Sequence, residues 1–135
     1  MKDGKRTTAK ISLKGSNINY TYFVNGKAYT HLASKPAVSV ETGEYYVVLY
    51  DSLNIDECII LFTKPVILDK RDFAVTWATT VEEIAVNEAV RFTYQVADQK
   101  YERYQRLPSG KKLMKSKKYR VLYQNKNPKI AYIVW

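Results

Sequence analysis

Cysteine and histidine are nearly missing from this chain, and their scarcity excludes much chemistry. With Cys58 as the one cysteine, no internal disulfide forms; with His31 as the one histidine, no set of three or four nitrogen and sulfur ligands exists for zinc. Glycine is sparse at five residues, and none of them builds a phosphate-cradling loop or a nucleophile elbow. Apolar runs are short as well. Runs such as Cys58–Phe62 and Ala131–Trp135 fall far below the roughly 20 residues that span a bilayer. The polar stretch from Lys2 to Lys14 does not read as a secretory signal. The expectation is a soluble chain that needs no cofactor or metal, with any membrane neighbourhood belonging to a longer parent.

Acid is what the second half lacks. Residues 1–67 hold 8 Lys/Arg against 6 Asp/Glu, whereas residues 68–135 hold 14 against 7. Most of the formal charge of +9 therefore sits in the second half, and Lys100–Arg120 alone has nine basic residues and one acid, Glu102. Tyrosine is abundant instead, at 12 residues. Together with Val, Ile and Thr it suits a pleated, half-buried surface and points to strands.

The arrangement of those residues repeats. Tyr20–Val24 matches Phe92–Val96 at an offset of 72, and without a gap Thr7-Thr8 falls on Thr79-Thr80 and Tyr29 on Tyr101. One inserted residue later, at an offset of 73, Tyr46–Tyr50 matches Tyr119–Tyr123 and Ile59–Phe62 matches Tyr132–Trp135. The expected fold is all-β: two tandem repeats of about five antiparallel strands, packed as small barrels or a sandwich with pseudo-twofold symmetry. Repeat 1 spans residues 4–62, an ordered connection 63–75, and repeat 2 residues 76–135, in one compact body. Strands are expected near Thr7–Leu13, Ile18–Val24, Lys27–Ala33, Tyr45–Tyr50 and Glu57–Phe62, and at the matching places of repeat 2. Asn25-Gly26 is a strong hairpin signal, because both turn positions need positive φ; Ala97-Asp98-Gln99 takes its place in repeat 2 and predicts a looser turn. Val81–Val90 has a weak helical period, but the repeat argues for strand.

Alternation assigns faces. Tyr46, Val48 and Tyr50 match Tyr119, Val121 and Tyr123, so that face is core. Tyr45, Val47 and Leu49 match Lys118, Arg120 and Leu122, greasy in one repeat and basic in the other.

The string Tyr22-Phe23-Val24-Asn25-Gly26-Lys27-Ala28-Tyr29, then Gly43, then Val48-Leu49-Tyr50-Asp51, resembles a bacterial β-rich domain family of unknown function. Its members carry Y-x-V-x-G-K-x-Y, a glycine and V-x-Y-x-P-x-N-P, often beside transmembrane helices. Repeat 2 keeps the terminal pair as Asn127-Pro128, whereas repeat 1 has Asn54-Ile55 there. The resemblance implies a β module, membrane-adjacent in its parent, and brings no catalytic residues.

The residues themselves point away from catalysis. His31 matches Arg103, which suggests an exposed strand position, and Cys58 matches Ala131, which suggests an inert buried thiol. Neighbouring carboxylates Asp56-Glu57 and Glu82-Glu83 lie on opposite strand faces, unsuited to shared acid–base work. A non-enzymatic interaction module is expected, with a protein partner and a candidate apolar face at Phe23, Tyr45 and Val47. The alternative is an electrostatic contact with nucleic acid or anionic lipid through Arg103, Tyr104, Arg106, Lys111, Lys112, Lys115, Lys117, Lys118 and Arg120. The plain alternative to both is a lysine-rich loop that only keeps a sheet edge soluble.

Overall fold

Among the described residues ten strands form, and nearly all of them where alternation of apolar residues calls for them. The computed structural model describes residues 4–85 and 88–135. Unit 1 covers residues 4–36 and 40–68 and contains β1 (Gly4–Lys14), β2 (Asn17–Val24), β3 (Lys27–Ala33), β4 (Tyr45–Asp51) and β5 (Cys58–Pro65). Unit 2 covers residues 69–135 together with Ala37–Ser39 and contains β6 (Phe73–Ala85), β7 (Ala89–Val96), β8 (Gln99–Arg106), β9 (Arg120–Gln124) and β10 (Ala131–Val134). The supposed connection is strand at both ends: Thr63–Pro65 ends β5 and Phe73–Val75 begins β6, and between them lie an irregular stretch and a 3-10 turn at Lys70–Asp72 capped by Asp69. Of Val81–Val90, the described residues are strand up to Ala85 and again from Ala89, and residues 86–87 lie outside the described part.

The two sheets have one topology. Unit 1 runs β3-β2-β1-β4-β5 and unit 2, read from its other edge, β8-β7-β6-β9-β10. In each, the first strand is long enough to serve two neighbours with its two halves. β1 pairs with β4 over Gly4–Lys10 and with β2 over Lys10–Lys14. β6 pairs with β9 over Phe73–Trp77 and with β7 from Ala78 onward. A strand shared in this way curls its sheet, and unit 2 curls into a half-barrel. Ile133 on the β10 edge donates its N–H to Gln105 Oε1 of β8 at 2.9 Å. Ala37–Ser39 covers the free edge of β8, where Ser39 N–H donates to Tyr104 O at 3.0 Å. Covered edges do not recruit other chains.

Register corrects the ungapped match of Thr7-Thr8 to Thr79-Thr80. Thr7 faces Val48 and Thr76 faces Val121, a separation of 69. Lys10 and Thr80 are separated by 70, Lys14 and Ala85 by 71, and only at Asn17 and Ala89 does 72 hold. The three extra residues enter as two bulges in β6, at Ala78/Thr80 and Glu83/Ala85, and one residue in the connection to β7.

Each core is an aromatic stack tied to a distant turn. In unit 1 Tyr22 stacks on Tyr20, Tyr29 and Tyr50, and its hydroxyl donates to Ile55 O at 2.6 Å. In unit 2 Tyr94 stacks on Phe92 and Tyr101, and its hydroxyl donates to Pro128 O. Tyr46 meets Phe62 edge-on at 5.3 Å, and Tyr119 meets Trp135 in the same way at 5.5 Å. Tyr20, Tyr22 and Tyr29 are offset by 72 from their counterparts, and Tyr46, Ile55 and Phe62 by 73, so the duplication extends to individual contacts.

The second hairpin is tight, not loose. Ala97 (φ 48°) and Asp98 (φ 66°) repeat the positive φ of Asn25 (52°) and Gly26 (79°), and Gln99 already pairs with Val96. Alanine bears a steric cost there that asparagine and glycine avoid. Ala97→Asn with Asp98→Gly is expected to stabilise the protein by about 1 kcal/mol in urea denaturation. Tyr22→Phe and Tyr94→Phe should each destabilise it by about 1–3 kcal/mol, because a turn carbonyl loses its buried donor; a smaller loss than Tyr29→Phe would refute the role given to these hydroxyls.

Candidate functional site

The basic residues of repeat 2 divide on folding. Arg103 leaves the predicted patch altogether: it is 2% exposed, because β8 turns it inward opposite Phe92. Its guanidinium donates to Lys129 O at 2.6 Å and Ser39 O at 3.1 Å and lies over the Tyr132 ring. A buried cation needs such partners. Tyr104 is half-buried, with its backbone bonded to Ser39, and Arg106 is exposed at the end of β8. Lys111 and Lys112 are exposed in the turn after Pro108.

Lys115, Lys117 and Lys118 do converge. They line one wall of a cleft of about 670 Å³ with Leu113, Met114 and Tyr119, and β6 supplies the other wall from Trp77 to Val81. Arg120 flanks it as the cross-strand partner of Trp77. Trp77 is 56% exposed and Met114 is also exposed. Nothing in the basic stretch itself pointed to Trp77. It takes the place of Thr8 once register is known, since Thr8 faces Val47 as Trp77 faces Arg120.

The cleft has a local cause. In unit 1 the chain before β4 stays on β1: Ile11 N–H donates to Glu44 O at 2.9 Å, Gly43 N–H to Ile11 O at 3.0 Å, and Leu13 N–H to Thr42 Oγ1 at 2.9 Å. Glu44 anchors that segment from within: it is 1% exposed, and its carboxylate accepts from Tyr46 Oη and from Glu41 N–H. In unit 2 the residue at the Glu44 position is Lys117. A lysine has no acceptor to offer a tyrosine hydroxyl. Tyr119, the counterpart of Tyr46, instead accepts from Met114 N–H at 2.9 Å, and Lys117 Nζ stands over its ring at 5.2 Å. Among the described residues the last backbone bond from β6 to this chain is Ala78 N–H to Tyr119 O at 2.9 Å. Beyond it β6 has its bulge at Thr79. Bulges re-aim strands.

The apolar candidates do not form one patch. Phe23 on β2 is 63% exposed, but β1 lies between β2 and β4 and places Thr8 and Lys10 opposite Val47 and Tyr45. Tyr45 and Val47 are half-buried and continue instead into Leu49, Ile59 and Leu61.

His31 is not an exposed strand residue. Parity along β3 puts it inward opposite Tyr20, against the rings of both Tyr20 and Tyr22, with Nε2 3.3 Å from Asp56 Oδ1. Cys58 is half-buried, and its Sγ lies 3.2 Å from Tyr20 Oη. Among the described residues, no group of three or more His, Cys, Asp or Glu is placed to hold a metal, and no helix is long and apolar enough to cross a membrane. No protein-family model matches the chain, and no curated protein or solved structure matches it.

Burial first, then the neighbouring Cys58, raises the Tyr20 and Tyr22 hydroxyls above the usual phenol range. The folded state then keeps protons that the unfolded state releases above about pH 10. Stability is expected to be intact below pH 10 and to fall as pH rises through the raised values. Tyr20→Phe should flatten that alkaline decline in urea titrations at pH 9 to 11.5; an unchanged slope would refute the linkage.

Proposed function

We propose that the chain is a non-enzymatic interaction module that holds an acidic protein segment in the cleft of unit 2. The observation that carries this reading is the composition of that cleft: three lysines converge beside an exposed Trp77 and Met114, at the point where unit 2 departs from its twin. Tryptophan and methionine are residues that protein interfaces favour, and a buried aromatic with a charged rim is how binding energy concentrates. A single-stranded nucleic acid asks for something else, a row of rings on which successive bases stack. Here Tyr119 is buried with its hydroxyl engaged and Arg103 is enclosed. Of the rings that line the cleft, that leaves Trp77. The motif resemblance in repeat 1 adds a membrane-adjacent setting to this reading.

The test is fluorescence anisotropy of the full chain with three labelled probes at about 150 mM salt: an oligoglutamate peptide, an oligothymidylate and phosphatidylserine vesicles. The acidic peptide should bind most tightly and weaken with salt, as exposed charges do. The triple variant Lys115→Glu, Lys117→Glu, Lys118→Glu should lose at least tenfold in affinity, and Trp77→Ala a similar amount. Tighter binding of the oligonucleotide or the vesicles would refute a protein partner, and an unaffected triple variant would refute the site.

A further inference from the structure

Unit 1 carries a worked example of what the cleft accepts. Two strands of the same topology, β1 and β6, begin with equivalent pairings: Ala9 faces Tyr46, and Ala78 N–H donates to Tyr119 O. Past that point β1 keeps a third neighbour, the acidic segment Glu41-Thr42-Gly43-Glu44, bonded through both backbone groups of Ile11. β6 keeps none from its own loop, whose residues stand across the cleft.

Register identifies the groups left facing that space. Ile11 pairs with Tyr20 and Val81 pairs with Phe92, so Val81 is the counterpart of Ile11. Backbone N–H and C=O groups of successive strand residues point to alternate sides. The groups of Ile11 point away from β2 to Gly43 and Glu44. Those of Val81 correspondingly point away from β7, into the cleft that Val81 lines. The wall from Trp77 to Val81 is five residues, about 16 Å at strand rise, long enough to template a short strand.

Charge selects the occupant. The segment that fills this place in unit 1 carries two glutamates in four residues, Glu41 and Glu44. The opposite wall in unit 2 carries Lys115, Lys117 and Lys118 where unit 1 has Thr42, Glu44 and Tyr45. Repulsion of basic partners and attraction of acidic ones both follow.

We propose that an acidic peptide adds to the edge of β6 beside Val81, hydrogen-bonding it as the Glu41–Glu44 turn hydrogen-bonds Ile11 on β1. This rests on the reading of the cleft as a site for an acidic protein segment and specifies how that segment binds: ladder hydrogen bonds to Val81 for affinity, lysines for choice of side chain. Strand addition to a sheet edge is a recurrent mode of peptide recognition.

The probe is a labelled synthetic peptide with the sequence of residues 38–46, Val-Ser-Val-Glu-Thr-Gly-Glu-Tyr-Tyr, titrated against the full chain by anisotropy. A second peptide carries N-methylglycine for its glycine, which removes the N–H that Gly43 donates to Ile11 and leaves every charge in place. A third replaces both glutamates by glutamine. The unmodified peptide should bind, and each modified peptide should bind at least tenfold more weakly. Amide exchange by NMR should show Val81 N–H protected on addition of the first peptide only. Binding of the N-methylated peptide within twofold of the parent, or an unprotected Val81, overturns strand addition while the charge-based reading of the cleft stands. Failure of the parent peptide and of oligoglutamate alike removes both. The protein is unaltered throughout, so no loss of folding enters the comparison.

Discussion

A tyrosine hydroxyl that reaches a turn carbonyl more than thirty residues away is the constraint on which each unit depends. Tyr22 bonds Ile55 and Tyr94 bonds Pro128, each from the middle of the second strand to the hairpin between the fourth and fifth. The ring supplies apolar area and a stacking partner on either side; the hydroxyl supplies the donor that a turn carbonyl inside the fold would otherwise lack. With that bond in place the fourth strand is fixed on the first, and the pairs Tyr46–Phe62 and Tyr119–Trp135 close the far end. Change is then tolerated in the one segment the clamp does not hold, the chain leading into the fourth strand.

That segment is where the two units part. In unit 1 a carboxylate goes inside, because it can accept from Tyr46 and from its own turn at once. A buried acid with both oxygens engaged is tenable; a lysine in its place would bring a cation with no acceptor nearby. Lys117 therefore remains at the surface, its neighbours follow it, and β6 bulges at Thr79 where β1 runs straight. The exchange of Glu44 for Lys117 goes with the loss of the covering turn, and Lys115 and Lys118, in place of Thr42 and Tyr45, complete the basic wall.

Most of the fold was legible because alternation and turn chemistry act locally. β2 and β3 lie within a residue of where the pattern places them, Asn25-Gly26 makes the expected turn, and the core face Tyr46, Val48, Tyr119 and Val121 is buried. What was not legible depends on contacts distant in sequence. Two bulges in β6 and one residue in its connection to β7 shift the register by three residues in total, and no residue there announces them, so the Thr7-Thr8 match misled and Trp77 stayed hidden. Arg103 and His31 were assigned to the surface by side-chain type, when strand parity, Tyr29–His31 and Tyr101–Arg103, places both inward. Their partners, Asp56, Lys129 O and Ser39 O, are found only in three dimensions.

An opened ladder carries a hazard that bears on the lysines. Unpaired strand backbone templates indiscriminate pairing, and proteins suppress it with edge lysines. The same charges that protect β6 from copies of this basic chain would not repel an acidic strand. Protection and selectivity are thus one property seen with two kinds of partner, like-charged and opposite-charged. Unit 1 meets the hazard differently, by laying its own Glu-Thr-Gly-Glu segment over the strand and burying one of the acids. The two units thus differ at this edge: β1 is covered by its own Glu41–Glu44 turn, whereas Lys117 stands at the Glu44 position beside β6 and gives that edge a basic neighbour.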